Sequence, residues 1–261
     1  MLLARKETVV ASLAAFTWLA AVAPAAAAEL TIFATGSMAD PLEHLGEEFT
    51  TATGHTLRFS LGTTSTVLAR IRAGEIGDVL VISAEAAATL ETDGTLAAGT
   101  RTPVASSLFG VVVKAGAPRP DASTPAALRE TVLRAATISY PDPVAAAVSG
   151  GYIETVFAQL GIATEAKNKA SLKPMGYLVD EAVAGGEAEL GLSFISEFIA
   201  NDELQVVLFP AALQKPQLYS AGVFATAPNA DAARAFIAFV TSAAAREKLR
   251  AAGVEPATAE R

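Results

Sequence analysis

The chain has 261 residues, a formal net charge of −8 and no cysteine. This acidic balance disfavours nucleic acid and anionic membrane surfaces as partners, because both reward a basic face. It does not disfavour a small anion, since a closed pocket responds to local dipoles more than to net charge. The lack of cysteine excludes disulfides, thiol chemistry and a lipoprotein anchor, so the core must be stable without cross-links.

The N-terminal segment has the pattern of an export signal. A basic start that includes Arg5 precedes an apolar stretch at residues 9–22, and a run of small residues ends at Ala28. The apolar stretch is short for a membrane span and has no basic flank on its far side. We predict a signal peptide at residues 1–28, a periplasmic protein that begins at Glu29 and no stable membrane insertion. A retained N-terminal anchor is the alternative.

Strand-like and helix-like segments alternate along the rest of the chain. Apolar, β-branched runs predict strands, and apolar residues at helical spacing predict helices. The predicted strands are 30–34, 56–61, 79–82, 108–114, 137–140, 170–175, 190–195, 204–209 and 217–226. The predicted helices are 40–53, 66–73, 84–93, 124–134, 150–160, 177–184, 230–240 and 242–252. This order predicts an α/β fold with mostly parallel sheet and helices on both faces.

The alternation falls into two blocks, and the C-terminal part folds back onto the first block. We predict two α/β lobes around a ligand cleft, joined by two crossover strands. Lobe 1 is residues 29–112 plus 217–261, and lobe 2 is residues 113–216. Ligands of open α/β sheets bind outside the carboxyl ends of the strands, which places the cleft at the strand-to-helix junctions.

Four polar junctions that contain glycine stand where a strand-like run gives way to a helix-like run. They are Gly36-Ser37, Gly62-Thr63-Thr64-Ser65, Ser149-Gly150-Gly151 and Met175-Gly176. A helix N-terminus leaves backbone N–H groups unpaired and carries the positive end of the helix dipole. Two junctions from each lobe therefore predict an anion site built from neutral groups. For any single junction, ordinary helix capping is the alternative.

Catalytic and metal-binding alternatives have less support in the sequence. The only histidines are His44 and His55, and without cysteine partners at suitable spacing they do not predict a metal site. Asp142, between two prolines, could act as an acid or base, but its position favours the role of a turn residue. No nucleophile elbow or phosphate-loop motif is present in the sequence. We predict no catalytic residue, no metal and no cofactor.

The chain resembles the periplasmic molybdate-binding proteins of the type II substrate-binding protein superfamily. Four stretches carry the resemblance: LTIFATGSMADPLEHLGEEFTTATG, TTSTVLARIRAGEIGDVLVISAE, SGGYIETVFAQLGI and GEAELGLSFIS. The first two resemble the opening strand, the hydroxyl-rich second loop and the elements around them, and the last two resemble second-lobe elements. The resemblance covers nearly all of the chain after residue 28 and implies the type II periplasmic binding fold.

In that family, neutral hydroxyls and backbone N–H groups bind a tetrahedral oxyanion. The resemblance implies the following ligand-binding residues: the hydroxyls of Ser37 and Thr64 with Thr63 and Ser65 beside them, and backbone donors at Ser149 or Gly150 and at Gly176. Phe194 aligns with a tyrosine whose hydroxyl helps the family to bind its anion, and phenylalanine cannot donate. Val148-Ser149-Gly150 stands in place of the family's Pro-Ala-Gly turn.

The resemblance implies a monomeric binding protein that captures a small oxyanion, molybdate or tungstate, for the permease of an ABC importer. A small organic acid is the alternative ligand, because periplasmic aconitate isomerase has this kind of scaffold. The second hypothesis is therefore a tricarboxylate-binding protein or an aconitate isomerase. It ranks below the first because the sequence shows no clear arginine pair for a tricarboxylate in the cleft.

Overall fold

The computed structural model describes residues 27–146 and 148–257. Most of the predicted signal peptide, residues 1–26, therefore lies outside the described residues. Among the helices that are described, none combines the length and the apolar character that a membrane span requires.

The secondary structure follows the alternating pattern of the sequence. The strands are β1 (Glu29–Thr35), β2 (Thr56–Gly62), β3 (Val79–Ser83), β4 (Thr102–Ser107), β5 (Phe109–Lys114), β6 (Ile138–Pro141), β7 (Ala170–Lys173), β8 (Leu190–Phe194), β9 (Leu204–Leu208), β10 (Gln217–Val223) and β11 (Val254–Pro256). The helices are α1 (Ala39–Thr53), α2 (Thr64–Arg72), α3 (Ala84–Thr92), α4 (Pro125–Arg134), α5 (Ser149–Gln159), α6 (Ala163–Lys167), α7 (Tyr177–Ala184), α8 (Ala230–Val240) and α9 (Ala243–Ala251). Short 3-10 turns lie at Gly36–Met38, Ile195–Glu197 and Ala211–Leu213.

The strands form two mixed sheets. The first has the spatial order β11-β4-β10-β3-β1-β2, and the second has the order β7-β6-β8-β5-β9. Parallel pairs centre on β1 and β6, as βαβ units require. β10 and β5 pair antiparallel with both of their neighbours, and β11 pairs antiparallel with β4. The prediction of mostly parallel sheet is wrong, because β5 and β10, the strands that enter each sheet directly from the other sheet, run against both of their neighbours, and β11 runs against β4.

The chain passes between the two sheets twice. The first passage is at Leu108, between the end of β4 and the start of β5. The second follows β9 and runs through the 3-10 turn Ala211–Leu213 to β10. β5 lies wholly in the second sheet, so the first passage precedes residue 112, the predicted end of the first segment of lobe 1.

Helices cover both faces of each sheet. In the first sheet, the side chains of β1 alternate between the two faces. Leu30 and Ile32 are fully buried in the core that contains Phe49 of α1 and Phe236 of α8. Phe33, on the other face of β1, packs in a second cluster with residues of α2 and α3. Successive side chains of a strand point to opposite faces, so one apolar strand supplies both cores.

The 3-10 turn Ile195–Glu197 follows β8 of the second sheet and also contacts the first. The hydroxyl oxygens of Ser196 and Ser107 lie 3.0 Å apart, and both residues are buried. Gly253, just before β11, approaches the same turn closely, since a Cβ there would lie 3.2 Å from the Cα of Ser196. This packing holds Glu197, the last residue of the turn, at the junction between the two sheets.

Candidate functional site

One cavity lies where the carboxyl ends of strands from both sheets meet. All four polar junctions contribute to its wall. Its volume is about 40 Å³, and a single buried water needs about 10–15 Å³. The cavity therefore has room for a group about as large as a few water molecules. The residues that border it are Thr35, Gly36, Ser37, Gly62, Thr63, Thr64, Ser65, Ala146, Val148, Ser149, Met175, Gly176, Phe194, Glu197, Gln217 and Tyr219.

Most of the residues that the sequence suggests for ligand binding come together here. Those that border the cavity are Ser37, Thr63, Thr64, Ser65, Ser149, Gly176 and Phe194. Gly150 does not border it. The Gly150 N–H donates to the carbonyl of Ala146 at 2.9 Å, and a Cβ on Gly150 would overlap the carbonyl oxygen of Pro141. Gly150 therefore lets α5 pack closely on the preceding loop.

The loop before α2 has more hydroxyls than helix capping uses. Thr63 is the N-cap, and its Oγ1 accepts the backbone N–H of Thr66 at 3.1 Å. Thr64 and Ser65 are the first residues of the helix, where N–H groups have no partner inside the helix. This arrangement leaves two further hydroxyls and a helix N-terminus at the cavity.

Ser37 is buried and bonded to a residue that sequence reasoning missed. Its Oγ lies 2.7 Å from the hydroxyl oxygen of Tyr219, which is on the returning strand β10. Burial raises the pKa of the Tyr219 phenol well above its ordinary value, and the hydrogen bond with Ser37 opposes that shift in part. Tyr219 is therefore a neutral hydroxyl. If it donates to Ser37, the Ser37 proton is free to point into the cavity.

Glu197 is the second functional candidate that the sequence did not reveal. Only 8% of its surface is exposed, and it accepts hydrogen bonds from the Ser193 hydroxyl and the Phe194 N–H. Burial and, to a smaller extent, the charge of Asp40 raise the pKa of Glu197 to about 7, against the lowering effect of these two hydrogen bonds. A Cβ on Gly176 would overlap the Glu197 carboxylate, so glycine at this junction makes room for the acid.

The described residues give the cavity no fixed positive charge. Of the described residues that border it, none is lysine, arginine or histidine. Nor does the described part of the chain contain a group of three or more histidine, aspartate and glutamate residues arranged to hold a metal ion. An anion in this cavity would be attracted by hydroxyls and by the N-termini of α2, α5 and α7.

The remaining sequence candidates lie elsewhere or present apolar surface. Phe194 packs its ring against Phe109 at a centroid distance of 4.4 Å and forms an apolar part of the cavity wall. Asp142 does not border the cavity, and its Oδ1 accepts the N–H of Val144 at 2.8 Å. This is the bond of a turn residue, the alternative that the flanking prolines suggested.

Known proteins resemble this chain in sequence or in fold. A curated aconitate isomerase from a Pseudomonas species is 29% identical over 238 residues, which are 88% of this chain and 89% of the relative. The periplasmic molybdate-binding protein of Azotobacter vinelandii superposes with a TM-score of 0.74 at 20% identity, over 88% of this chain and 100% of that one. The sulfate-binding protein SubI of Mycobacterium tuberculosis superposes with a TM-score of 0.69 at 19% identity, over 89% and 88%.

The two structural neighbours are similar enough to show the fold, which is that of the type II periplasmic binding proteins. The match to a sequence family covers nearly all of the described chain. Residues 30–255, which span both sheets and every junction of the cavity, match the family model described as bacterial extracellular solute-binding protein. The chain therefore belongs to the bacterial extracellular solute-binding protein family.

Proposed function

We propose that this chain captures a small tetrahedral oxyanion, molybdate or tungstate in kind, and delivers it to an ABC importer. The observation that carries the proposal is a cavity of about 40 Å³ whose wall includes hydroxyls and helix N-termini that follow strands of both sheets. Neutral donors of this kind bind a small anion without a cationic side chain. A tetrahedral oxyanion is similar in size to a few water molecules and fits this volume.

Capture requires the two halves of the cavity to separate and close. We propose a hinge closure of two lobes about the passages between the sheets, with the first boundary at Leu108. Lobe 1 would then be residues 29–107 with residues from 217 onward, and lobe 2 would be the chain between them. We also propose that a signal peptide at residues 1–28 directs export and that a monomer delivers the ligand to a permease.

A thermal-shift panel tests the ligand class, because a ligand that binds only the folded state raises its stability. The purified chain is heated with molybdate, tungstate, sulfate, citrate or trans-aconitate. We expect a concentration-dependent rise in Tm with molybdate or tungstate. A rise with a polycarboxylate and none with either metal oxyanion would overturn the choice of oxyanion.

The buried acid favours a small organic acid as the second candidate. Glu197 borders the cavity with a pKa of about 7, and a carboxyl group with a pKa near the working pH is suited to proton transfer. The name of the Pseudomonas relative, aconitate isomerase, supports the same candidate. An absorbance assay of aconitate isomerisation tests it: turnover by the wild type and its loss in Glu197→Gln with binding retained would support an enzyme.

The pH dependence of anion binding follows from Glu197. A bound anion beside the carboxyl raises its pKa above the value of about 7 in the free protein, so the protonated form binds the anion more tightly. Affinity should therefore be highest below pH 7 and should fall as pH rises, by at most about tenfold per pH unit. Calorimetric titrations between pH 5.5 and pH 8.5 measure this slope.

Glu197→Gln should remove the slope, because the amide does not titrate. Glu247→Gln is the matched control, since Glu247 is exposed on α9 and does not border the cavity. Retention of the full wild-type slope in Glu197→Gln would show that another group takes up the proton.

A further inference from the structure

Thr35 has a buried hydroxyl that makes no hydrogen bond to any other described residue. It is the last residue of β1, and it borders the cavity directly before Gly36-Ser37. Only 4% of its surface is exposed, and among the described residues its Oγ1 has no hydrogen-bond partner. Buried hydroxyls are nearly always hydrogen-bonded, because an unpaired one costs free energy. The hydrogen-bond partner of the Thr35 hydroxyl must therefore lie outside the described residues.

The local structure described around Thr35 provides no hydrogen-bond partner for its hydroxyl. Thr35 is the N-cap of the 3-10 turn Gly36–Met38, but its side chain makes no capping bond. Its main chain is paired with Gly62 of β2 through the strand register. The next hydroxyl along the chain, that of Ser37, already has Tyr219 as its partner. A residue chosen only for the end of a buried strand would be valine or isoleucine, which have the same branched shape without a polar atom.

We propose that the hydroxyl of Thr35 binds the ligand of this cavity by donating a hydrogen bond to one of its oxygens. The inference rests on the proposed function for the presence of an anion, and it adds a contact that the four polar junctions do not include. An oxyanion or carboxylate oxygen is a strong acceptor, and a hydrogen bond to a charged group is worth more than a neutral one. Thr35 thus supplies a donor in a cavity where Phe194 supplies none.

Thr35→Val tests the inference with two readouts of opposite sign. The valine has the same shape, so the Tm of the ligand-free chain should stay the same or rise, because an unpaired hydroxyl has been removed. The affinity for molybdate or tungstate, measured by calorimetry, should fall about 10- to 100-fold. Thr35→Ser keeps the hydroxyl and is the matched control, expected to retain more of the wild-type affinity than Thr35→Val does.

The two possible failures are distinguishable. Wild-type affinity in Thr35→Val, or a ligand-free Tm several degrees below that of the wild type, would overturn the inference alone, because the hydroxyl would then be idle or would have a partner within the protein. No binding of any anion in the thermal-shift panel by the wild type would overturn the proposed function, and the role of Thr35 with it.

Discussion

Gly150→Ala is expected to lower the free energy of unfolding by about 3 kcal/mol, at the upper end of the usual range for overpacking. The new Cβ would overlap the carbonyl oxygen of Pro141 and would lie 2.8 Å from the nitrogen of Pro143 and 2.9 Å from the carbonyl carbon of Asp142. These are main-chain atoms, which cannot move aside as the end of a flexible side chain can. Relief would require α5 to move away from the loop that precedes it.

Gly151→Ala is the matched control in the same helix. A Cβ at Gly151 would meet no atom within 4 Å, and alanine is favoured over glycine inside a helix. We expect this variant to be more stable than the wild type by about 0.5 kcal/mol. Urea unfolding of both variants measures the difference. Equal effects of the two substitutions would contradict the packing of α5 on residues 141–143, which sets where Ser149 meets the cavity.

Ser37→Ala is expected to weaken oxyanion binding about 10- to 100-fold, since a hydrogen bond to a charged group contributes about 1.5–3 kcal/mol. The substitution also leaves the buried hydroxyl of Tyr219 without its partner at 2.7 Å. The ligand-free chain should therefore lose about 1–3 kcal/mol of stability. Calorimetry and urea unfolding measure the two effects separately.

Tyr219→Phe separates the two roles of Ser37. The phenol positions the serine hydroxyl, so its loss should weaken binding less than Ser37→Ala does. The double variant Ser37→Ala with Tyr219→Phe should recover stability relative to Ser37→Ala, because no unpaired hydroxyl remains. Oxyanion binding of wild-type affinity by Ser37→Ala would show that the serine is structural.

Apolar residues that recur with a period of two or of 3.6 were sufficient to predict the strands and helices that pack on the two sheets. β4 (Thr102–Ser107) escaped prediction because TPVASS lacks the apolar alternation of a strand and contains Pro103. The structure accommodates that proline opposite Ser220, where the register with β10 shifts. β11 and α6 were missed because three and five residues are too few to show a period.

The site was predictable where local chemistry reveals it. Hydroxyls and glycines before helices identified Ser37 and the loop before α2, since those groups act at helix N-termini. Glu197 and Tyr219 reach the cavity only through tertiary folding, one on a 3-10 turn at the sheet junction and the other on the returning strand. Tyr219 and Ser37 are 182 residues apart along the chain, so the sequence does not reveal that their hydroxyls are in contact.

Calorimetric titration of the purified chain with molybdate and tungstate, at a pH just below 7, tests the proposed function most directly. We predict saturable one-to-one binding to the wild type, weakened by Ser37→Ala and abolished when Thr64→Ala is added. No heat of binding with either oxyanion, together with saturable binding of a small organic acid, would contradict an oxyanion receptor.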